Sequence, residues 1–314
     1  MQSARARGRH GEQGFAMVAV LLVLVMVGLL GAEFAYSMRL EARATRNFMD
    51  AVMAGHLAEA GLETAVREIV GQGTLVAEGD DTLLTFYTRD RVALKRLPRE
   101  AVPLGGGQFS YRITDEAARI NINNVPAARL DRLLQLLDVE KEDRDVIVDS
   151  VQDWRDDNDE HRANGAESDD YYLKLPVPYR ARNGNLESID ELLQIRGVTP
   201  ALFRGTPERP GLADLLTVVG QGQVNINTAN KTVLQALGLS DAEILEIEAT
   251  RREVPYNQVP GRFSQRGLTT TTRTYRIEAM GLVEGKPRAH LTAIVEIAEG
   301  SAQGMKILSW SGIR

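Results

Sequence analysis

The residues best suited to chemistry lie in an acidic stretch from Asp138 to Asp170. It carries 14 Asp or Glu against four Lys or Arg, a net charge of −10 in a chain whose net charge is −6. Such like charge is unfavourable unless solvent or cations relieve it. Closely spaced carboxylates mixed with Asn and Gly suit Ca²⁺, but Asp157, Asp159 and Gly165 do not have EF-hand spacing. Composition leaves two interpretations open, a calcium loop and a solvated acidic loop.

Aromatic residues within the stretch favour the calcium loop. Trp154 and the neighbouring Tyr171 and Tyr172 can bury a large apolar surface, which would pin a loop that simple solvation leaves mobile. His161 is one His without Cys, so we expect a surface residue and not a zinc ligand.

No catalytic constellation accompanies the acidic residues. Asp156 and Asp159 could in principle act as general acid and base, but the sequence has no accompanying nucleophile, oxyanion-forming motif or cofactor loop. The absence of Cys excludes disulfides and thiolate metal sites. We therefore expect that the chain is not an enzyme.

The N-terminal region reads as a membrane helix. From Phe15 to Ala32 there are 18 consecutive residues without a charge, and a helix of that length spans about 27 Å, close to the thickness of a bilayer core. Arg5, Arg7 and Arg9 precede it, which predicts a cytoplasmic N-terminus and places the rest of the chain outside. A signal peptide is the alternative, but the residues after the apolar run are poor cleavage sites.

The helix is predicted to continue well beyond the membrane. Apolar residues recur at helical spacing up to about Val70, without Pro, and Gly71 and Gly73 then supply a stop. We expect a helix over residues 15–72, transmembrane over about 15–35 and amphipathic afterwards.

An internal repeat marks the middle of the chain. Ile120-Asn121-Ile122-Asn123 recurs as Val224-Asn225-Ile226-Asn227 at an offset of 104 residues. Apolar periodicity between the copies is helical, whereas 108–114 reads as a strand and 272–283 with 288–297 as a hairpin. The predicted fold class is α+β, with a domain formed by 73–119 and 221–314 and an inserted, mainly helical domain over 120–220.

A DNA-binding protein is a further class that the sequence leaves open. Leu193–Thr199 and Val224–Ala229 each resemble pieces of helix-hairpin-helix proteins, whose hairpin Gly lets backbone amides meet phosphate. Only one Gly stands where that hairpin usually has two, and the neighbouring sequence is acidic. Phosphate binding favours a basic surface, so we do not expect nucleic acid as a partner.

The Gly14-Phe15 junction, which lies between the charged leader and the apolar run, resembles the class III leader of type IV pilins and type II secretion pseudopilins. The resemblance implies that prepilin peptidase removes residues 1–14 and that Phe15 becomes N-methylated. Most members carry Glu as the fifth mature residue, whereas this chain has Ala19. The K-type minor pseudopilins typically lack this Glu.

Motifs in the acidic stretch resemble the general secretion pathway protein K family. These are D-W-x-D-x-D/N from Asp153, N-G-A-E from Asn164, D-x-Y-Y from Asp169, the Asn-Gly segment near Asn183 and S-I-D-E-L from Ser188. The resemblance implies a pseudopilin fold with an inserted calcium-binding domain. The candidate ligands that it implies are Asp153, Asp156, Asp157, Asp159, Glu167 and Asp170.

The same resemblance implies a function in protein export. It predicts a minor pseudopilin at the tip of the type II secretion pseudopilus of a Gram-negative cell, anchored once in the inner membrane with the bulk of the chain periplasmic. Implied partners are the I-type and J-type minor pseudopilins, the major pseudopilin and prepilin peptidase. A minor pilin of a type IV pilus is the near alternative.

Overall fold

The computed structural model describes residues 10–72, 74–79, 81–298 and 304–312, with side chains from Phe15 onward. Residues 1–9 of the predicted leader lie outside the described residues. The helices are α1 (His10–Gln72), α2 (Ala127–Leu136), α3 (Lys141–Arg155), α4 (Pro200–Arg204), α5 (Leu212–Leu215), α6 (Lys231–Ala236) and α7 (Asp241–Glu253). Single-turn or two-turn 3₁₀ helices cover Glu116–Ala118, Tyr172–Lys174, Ile189–Gln194 and Gly261–Arg266. The strands are β1 (Val76–Glu78), β2 (Leu84–Phe86), β3 (Val102–Leu104), β4 (Gly107–Asp115), β5 (Ile120–Asn121), β6 (Gly205–Thr206), β7 (Arg209–Pro210), β8 (Leu216–Thr217), β9 (Val224–Asn225), β10 (Leu268–Thr269), β11 (Thr274–Val283), β12 (Lys286–Ile297) and β13 (Met305–Ser311).

Helix α1 is continuous and ends at Gln72, as its uninterrupted periodicity predicts. From Phe15 to Met49 its residues are exposed, and the apolar segment near its N-terminus has the length and composition of a membrane span. The C-terminal part instead buries one face. Side chains at helical spacing, among them Leu57, Leu62 and Ile69, pack against the sheet.

A five-stranded antiparallel sheet in the order β13-β12-β11-β4-β3 packs on this part of α1. The β11–β12 hairpin was predicted, and its two-residue turn, Glu284-Gly285, has positive φ at both residues, the conformation of a type I′ turn. Gly281 allows close contact with the helix, because a Cβ there would lie 1.8 Å from the carbonyl oxygen of Ala54. The edge strands β3 and β13 were not predicted.

Residues 74–104 connect α1 to the sheet and are held by a buried ion pair. The Arg99 guanidinium donates to both carboxylate oxygens of Glu68, with Nη2–Oε1 and Nε–Oε2 distances of 2.8 and 3.1 Å. The Tyr111 hydroxyl donates to Glu68 Oε2 at 2.8 Å, and Arg99 Nη1 donates to the Leu84 carbonyl at 2.9 Å. One carboxylate on α1 thus fixes the connecting segment and strand β4.

The inserted helical unit is larger than predicted. A second core, separate from the core under the sheet, extends from Ile120 to Leu268 and includes Val224, Leu234 and Ile247. The predicted boundary at residue 220 is therefore wrong, and residues 221–271 belong to the insertion. The physical reason is that the second N-I-N segment begins a second copy of the same structural unit, whose helix α6 packs on α2.

The two copies use the same polar contacts. Asn123 is bonded through its side-chain amide to both backbone groups of Leu186, and Asn227, 104 residues later, is bonded in the same way to Tyr256. An Arg on each second helix then donates to the carbonyl before its Asn. Arg155 on α3 donates to Ile122 in the first copy and Arg251 on α7 donates to Ile226 in the second.

The copies differ in the length of the connection after the second helix. In the second copy, Tyr256 comes three residues after α7 ends, whereas in the first copy 30 residues separate the end of α3 from Leu186. The acidic loop lies within that longer connection. It is therefore an insertion into one copy of a duplicated β-helix-helix-β unit.

The junction between the sheet and the inserted unit is a buried polar network. Asp115, at the end of β4, accepts hydrogen bonds from Asn225 Nδ2 at 2.7 Å, the Thr228 hydroxyl at 2.6 Å and the Ala117 amide at 2.8 Å. Burial raises the pKa of the Asp115 carboxyl, although these hydrogen bonds act to lower it.

Glu116 continues this network with a second buried carboxylate. It accepts two hydrogen bonds from Arg276, at 3.1 and 2.9 Å, and one from the Thr217 hydroxyl at 2.8 Å. Burial would raise the pKa of Glu116, but the charges and hydrogen bonds of Arg276 and Arg119 outweigh it and lower the pKa. The inserted unit is thus joined to the sheet through adjacent charged anchors.

Replacing Asp115 by Asn is expected to destabilise this junction. The new amide group would place N–H donors against donors, and each buried unsatisfied group costs about 1–3 kcal/mol. We expect a loss of that size in the free energy of unfolding, measured by urea denaturation of the full chain in detergent, and faster proteolysis near residue 116. Exposed Asp143, replaced by Asn, is the control. Equal effects of the two substitutions would contradict the anchoring role.

Candidate metal centre

The C-terminal end of α3 places the first predicted ligand in the interior. Asp153 is fully buried, and its carboxylate accepts from the Arg162 backbone amide, with distances of 3.2 and 3.1 Å to its two oxygens. The Arg162 side chain donates to Asp153 Oδ1 at 2.6 Å. The loop folds back so tightly that a Cβ at Gly165 would lie 1.8 Å from Asp153 Oδ2, so only Gly fits there.

Four acceptor oxygens of the acidic loop and the Asn183 segment are buried without a hydrogen-bond partner among the described residues. Asp156 Oδ2 accepts from Arg162 Nη1 at 2.6 Å, but Asp156 Oδ1 has no hydrogen-bond partner among the described residues. Both carboxylate oxygens of Glu167, which is 2% exposed, likewise lack a partner within the described chain. Asn183 Oδ1 is the fourth such oxygen. A native fold rarely leaves buried acceptors unsatisfied, and a site for an ion is one accepted reason.

Asn183 belongs to the same region through its other contacts. Its Nδ2 donates to Asp159 Oδ1 at 2.8 Å, and the next residue, Gly184, donates its amide to the Trp154 carbonyl at the end of α3 at 3.2 Å. The Asn-Gly segment was among the sequence motifs, but Asn183 was not among the predicted ligands. Its positive φ of 49° is a signal that only the structure provides.

The electrostatics of the site follow from burial and like charge. Burial, together with the nearby negative charge of Asp153, raises the pKa of Glu167 to about 7. Burial also raises the pKa of Asp153, and the ion pair with Arg162 does not fully offset it. Around neutral pH, ionising all the carboxylates of the site is therefore unfavourable. A bound cation would offset this cost.

Aromatic residues form one wall of the loop, as predicted. Trp154 and Tyr172 are fully buried and meet edge to face, with ring centroids 5.3 Å apart. Tyr179 lies 5.2 Å from Tyr172, and the Arg196 guanidinium covers the Tyr171 ring at 4.8 Å. The part of the loop from Gly165 to Tyr172 is therefore packed against the helical core, whereas residues 157–164 are exposed.

The predicted ligands are brought together only in part. Asp153, Asp156 and Glu167 influence one another electrostatically, and Asp170 Oδ1 accepts from the Glu167 amide at 2.9 Å. Asp157 is exposed. Within the described residues, no group of three or more His, Cys, Asp or Glu side chains converges as a ready metal site. Arg162 instead bridges Asp153 and Asp156.

The helix-hairpin-helix segment lies elsewhere in the inserted unit. Gly197 has a positive φ of 87°, and a Cβ there would lie 2.8 Å from the side chain of Ile147 on α3. The turn therefore lies directly against α3 of the same unit, and only Gly fits at this position.

The predicted processing residues lie on α1. Gly14 is within the helix, the Phe15 side chain is 79% exposed, and Ala19 is also exposed. Nothing in the described part of the chain covers this end of the helix, as expected for a segment that lies in lipid or against other subunits.

Comparison with known proteins finds similarity to one family of secretion proteins. Residues 112–206 match the family model described as type II secretion system protein K. The type II secretion system protein K of Pseudomonas aeruginosa is 28% identical over 243 residues, which cover 73% of this chain and 69% of that protein. The protein of the same name from Klebsiella pneumoniae is 25% identical over 282 residues, covering 83% and 82%. Over most of its length, the chain is similar to the type II secretion system protein K family.

A solved structure has the same overall fold as this chain. A chain of the GspK-GspI-GspJ complex from enterotoxigenic Escherichia coli superposes with a TM-score of 0.59 at 17% identity, covering 86% of this chain and 98% of that chain. The α+β class with a long N-terminal helix is confirmed. The chain is a minor pseudopilin of type II secretion, which replaces the type IV pilus alternative.

Proposed function

We propose that this minor pseudopilin occupies the tip of the pseudopilus. The observation that carries the proposal is where the inserted unit joins the spine. Gly106, just before β4, lies beside Met53, whereas Tyr111 reaches Glu68 further along α1. Strand β4 therefore runs in the same direction as α1 and delivers Asp115 to the end of the helix remote from the membrane.

The return connection lies at the same end. Leu75 forms a β-bridge with Thr271, and the Thr272 amide donates to the Thr74 carbonyl at 3.1 Å. At about 1.5 Å per residue, the helix from Phe15 to Gln72 is about 85 Å long. The inserted unit thus caps the far end of the spine, where it would obstruct a subunit stacked above.

The residue at position 19 supports the same placement. Ala19 offers no carboxylate to pair with the terminal amine of a neighbouring subunit. A charged group in lipid requires such a partner. A subunit without that group has no need of a neighbour above it. We propose that it nucleates assembly with other minor pseudopilins and supports the export of folded proteins across the outer membrane.

The proposed partners are the I-type and J-type minor pseudopilins and, below them, the major pseudopilin. The similar Escherichia coli chain was solved as a complex of these K, I and J components. In this chain, Phe48, Met49 and Val52 lie between the membrane segment and the sheet and are exposed. Apolar side chains at this spacing on a helix form a surface for packing against another helix.

Co-expression of the full chain with its I-type and J-type counterparts tests this role. We expect both to co-purify with the affinity-tagged chain in detergent. Replacing Phe48 and Val52 together by Ser should reduce their recovery, because it removes apolar contact area. Val177 on the inserted unit is 78% exposed, so Val177→Ser is the control. Failure of either counterpart to co-purify with the unaltered chain would contradict the tip assignment.

The proposed localisation is the inner membrane, with a single span and a periplasmic bulk. It is supported by the one apolar helix among the described residues and by the Arg-rich leader. We expect prepilin peptidase to cut after Gly14 and the new N-terminus to be methylated. Intact-mass spectrometry of the membrane-extracted chain should find methylated Phe15 as its first residue, and cells lacking the peptidase should retain residues 1–14. Any other mature N-terminus would contradict this processing.

A calcium ion is proposed at the acidic loop. The residues fit, because the unpartnered oxygens of Asp156, Glu167 and Asn183 are hard ligands of the kind that Ca²⁺ prefers. Bound there, the ion would supply the positive charge that allows neighbouring carboxylates to stay ionised. Asp153, Asp159 and Asp170 position the loop through their hydrogen bonds to Arg162, Asn183 and the Glu167 amide.

A further inference from the structure

Three arginines gather around the turn between α6 and α7, away from the acidic loop. Arg129 and Arg132 lie three residues apart on α2 and therefore share one helix face. Arg266 ends the 3₁₀ helix that precedes β10. We call these three residues the arginine cluster. The turn that they surround contains Gly238, which has a positive φ of 90°.

The absence of a side chain at Gly238 leaves space for the guanidiniums. Arg266 Nη1 and Arg132 Nη1 lie 2.6 and 4.0 Å from the position that a Gly238 Cβ would occupy. Arg129 Nη1 lies 3.4 Å from the corresponding position at Gly267, the residue after Arg266. The three cationic groups are thus neighbours across elements far apart in sequence.

The hydrogen bonds that the arginine cluster makes within the described chain do not use all of its N–H donors. Arg266 donates to the Gly238 carbonyl, and Arg129 Nη2 lies 3.5 Å from the Arg266 carbonyl. Arg132 is exposed and makes no side-chain hydrogen bond to the described part of the chain. Each guanidinium has five N–H donors, so the cluster can bind an external acceptor without losing these contacts.

No carboxylate of the described residues forms an ion pair with the cluster. Glu243 feels the charge of Arg266, but its carboxylate accepts from the Ser240 amide at 2.7 Å and the Ser240 hydroxyl at 2.8 Å. Burial lowers the pKa of Arg129, which reflects its partial removal from water. Three adjacent cations with no carboxylate of the described residues in direct contact repel one another, and an anion would relieve that repulsion.

We propose that the arginine cluster binds a phosphate group. Three guanidiniums suit an anion with several oxygens and more than one charge better than a single carboxylate, since Arg binds phosphate in a bidentate, charge-assisted way. A long polyanion is disfavoured, because residues 116–271 carry 26 Asp or Glu against 18 Lys or Arg. The site is therefore assigned to an isolated phosphate group, free or on a lipid headgroup, and is independent of the secretion role.

Isothermal titration of inorganic phosphate into the full chain in non-ionic detergent tests the proposal, at constant ionic strength and with chloride as reference. We expect saturable phosphate binding and an affinity at least about tenfold weaker for Arg132→Gln, because this substitution removes a charge-assisted hydrogen bond. The exposed Arg132 side chain makes no hydrogen bond within the described chain, so its variant should fold. Arg204→Gln, at an exposed arginine on α4, is the matched control.

A second titration identifies the source of the phosphate group. Binding of glycerophosphoglycerol, the water-soluble headgroup of phosphatidylglycerol, lost in Arg132→Gln but not in Arg204→Gln, would support a lipid headgroup at the same site. Binding of inorganic phosphate without binding of this headgroup would support a free anion. The proposal is overturned if phosphate binds no better than chloride, if both variants bind alike, or if duplex DNA binds while inorganic phosphate does not.

Discussion

Removing calcium with EGTA is expected to destabilise the full chain by about 4 kcal/mol, if the free ion is kept at about a thousand times its dissociation constant before chelation. The reason is mass action, since the ion binds the folded loop and not the unfolded chain. The measurement is the free energy of unfolding from urea denaturation in detergent with and without free Ca²⁺. Adding Mg²⁺ alone should not recover the loss, because that smaller ion demands a stricter octahedral shell.

Glu167 and Asp157 provide a matched pair for this experiment. Glu167 is 2% exposed and both its carboxylate oxygens are unpartnered within the described chain, whereas Asp157 is exposed. We expect Glu167→Gln to abolish most of the calcium-dependent stabilisation and Asp157→Asn to leave it nearly unchanged. A chain whose stability ignores EGTA, or two variants with the same response, would contradict the calcium site.

The pH dependence without calcium depends on the same carboxyl. The folded-state pKa of Glu167 is raised from 4.5 to about 7, so between these values the folded chain holds a proton that the unfolded chain has lost. Stability from this group is therefore present at low pH and falls as pH rises through this window. At 1.36 kcal/mol per pKa unit, the loss between pH 4.5 and 8 is about 3 kcal/mol.

Calcium should remove this dependence, because the ion favours the ionised carboxyl. In EGTA, the unfolding free energy of the unaltered chain should decline towards pH 8, whereas that of Glu167→Gln should be flatter over the same range. With saturating Ca²⁺ the decline should disappear. Identical pH profiles for the two chains in EGTA would show that Glu167 is not the responsible group.

Replacing Arg99 by Ala is expected to lower the free energy of unfolding by about 3–5 kcal/mol, the cost of breaking a buried ion pair. The Glu68 and Arg99 side chains are 0% and 4% exposed, so the substitution leaves a carboxylate in the interior with only the Tyr111 hydroxyl and a 3.3 Å contact from the Leu97 amide. Urea denaturation of the full chain measures the loss.

Arg96 is the matched control, three residues away on the same segment. Its ion pair with Asp81 has a similar N–O distance, 2.6 Å, but the side chains are 32% and 45% exposed. Arg96→Ala should therefore cost less than about 1 kcal/mol, as surface ion pairs do. The double variant Glu68→Leu, Arg99→Met should recover much of the Arg99→Ala loss, because it leaves no unpaired charge. Equal losses for Arg99→Ala and Arg96→Ala would contradict this account.

The sequence by itself determined the features that depend on short-range periodicity. The charge-free run, together with the helical periodicity that follows it without Pro, predicts α1 to its last turn. Alternation of apolar residues is sufficient to predict β4, β11 and β12. The repeat of N-I-N was also visible, as was the acidic loop with its aromatic wall. These are local properties, because backbone geometry fixes the spacing at which side chains share a face.

Only the tertiary structure decided which core each element joins. The pattern of residues 224–268 is compatible with either domain, and their packing on α2 assigns them to the insertion. The partners of Glu68 and Arg99, 31 residues apart, and of Asp115 and Asn225, 110 residues apart, have no local signal. Long-range contacts of this kind depend on the packing of the whole chain. The same packing buries Glu167 without a partner among the described residues and leaves Asp157, in the same acidic run, exposed.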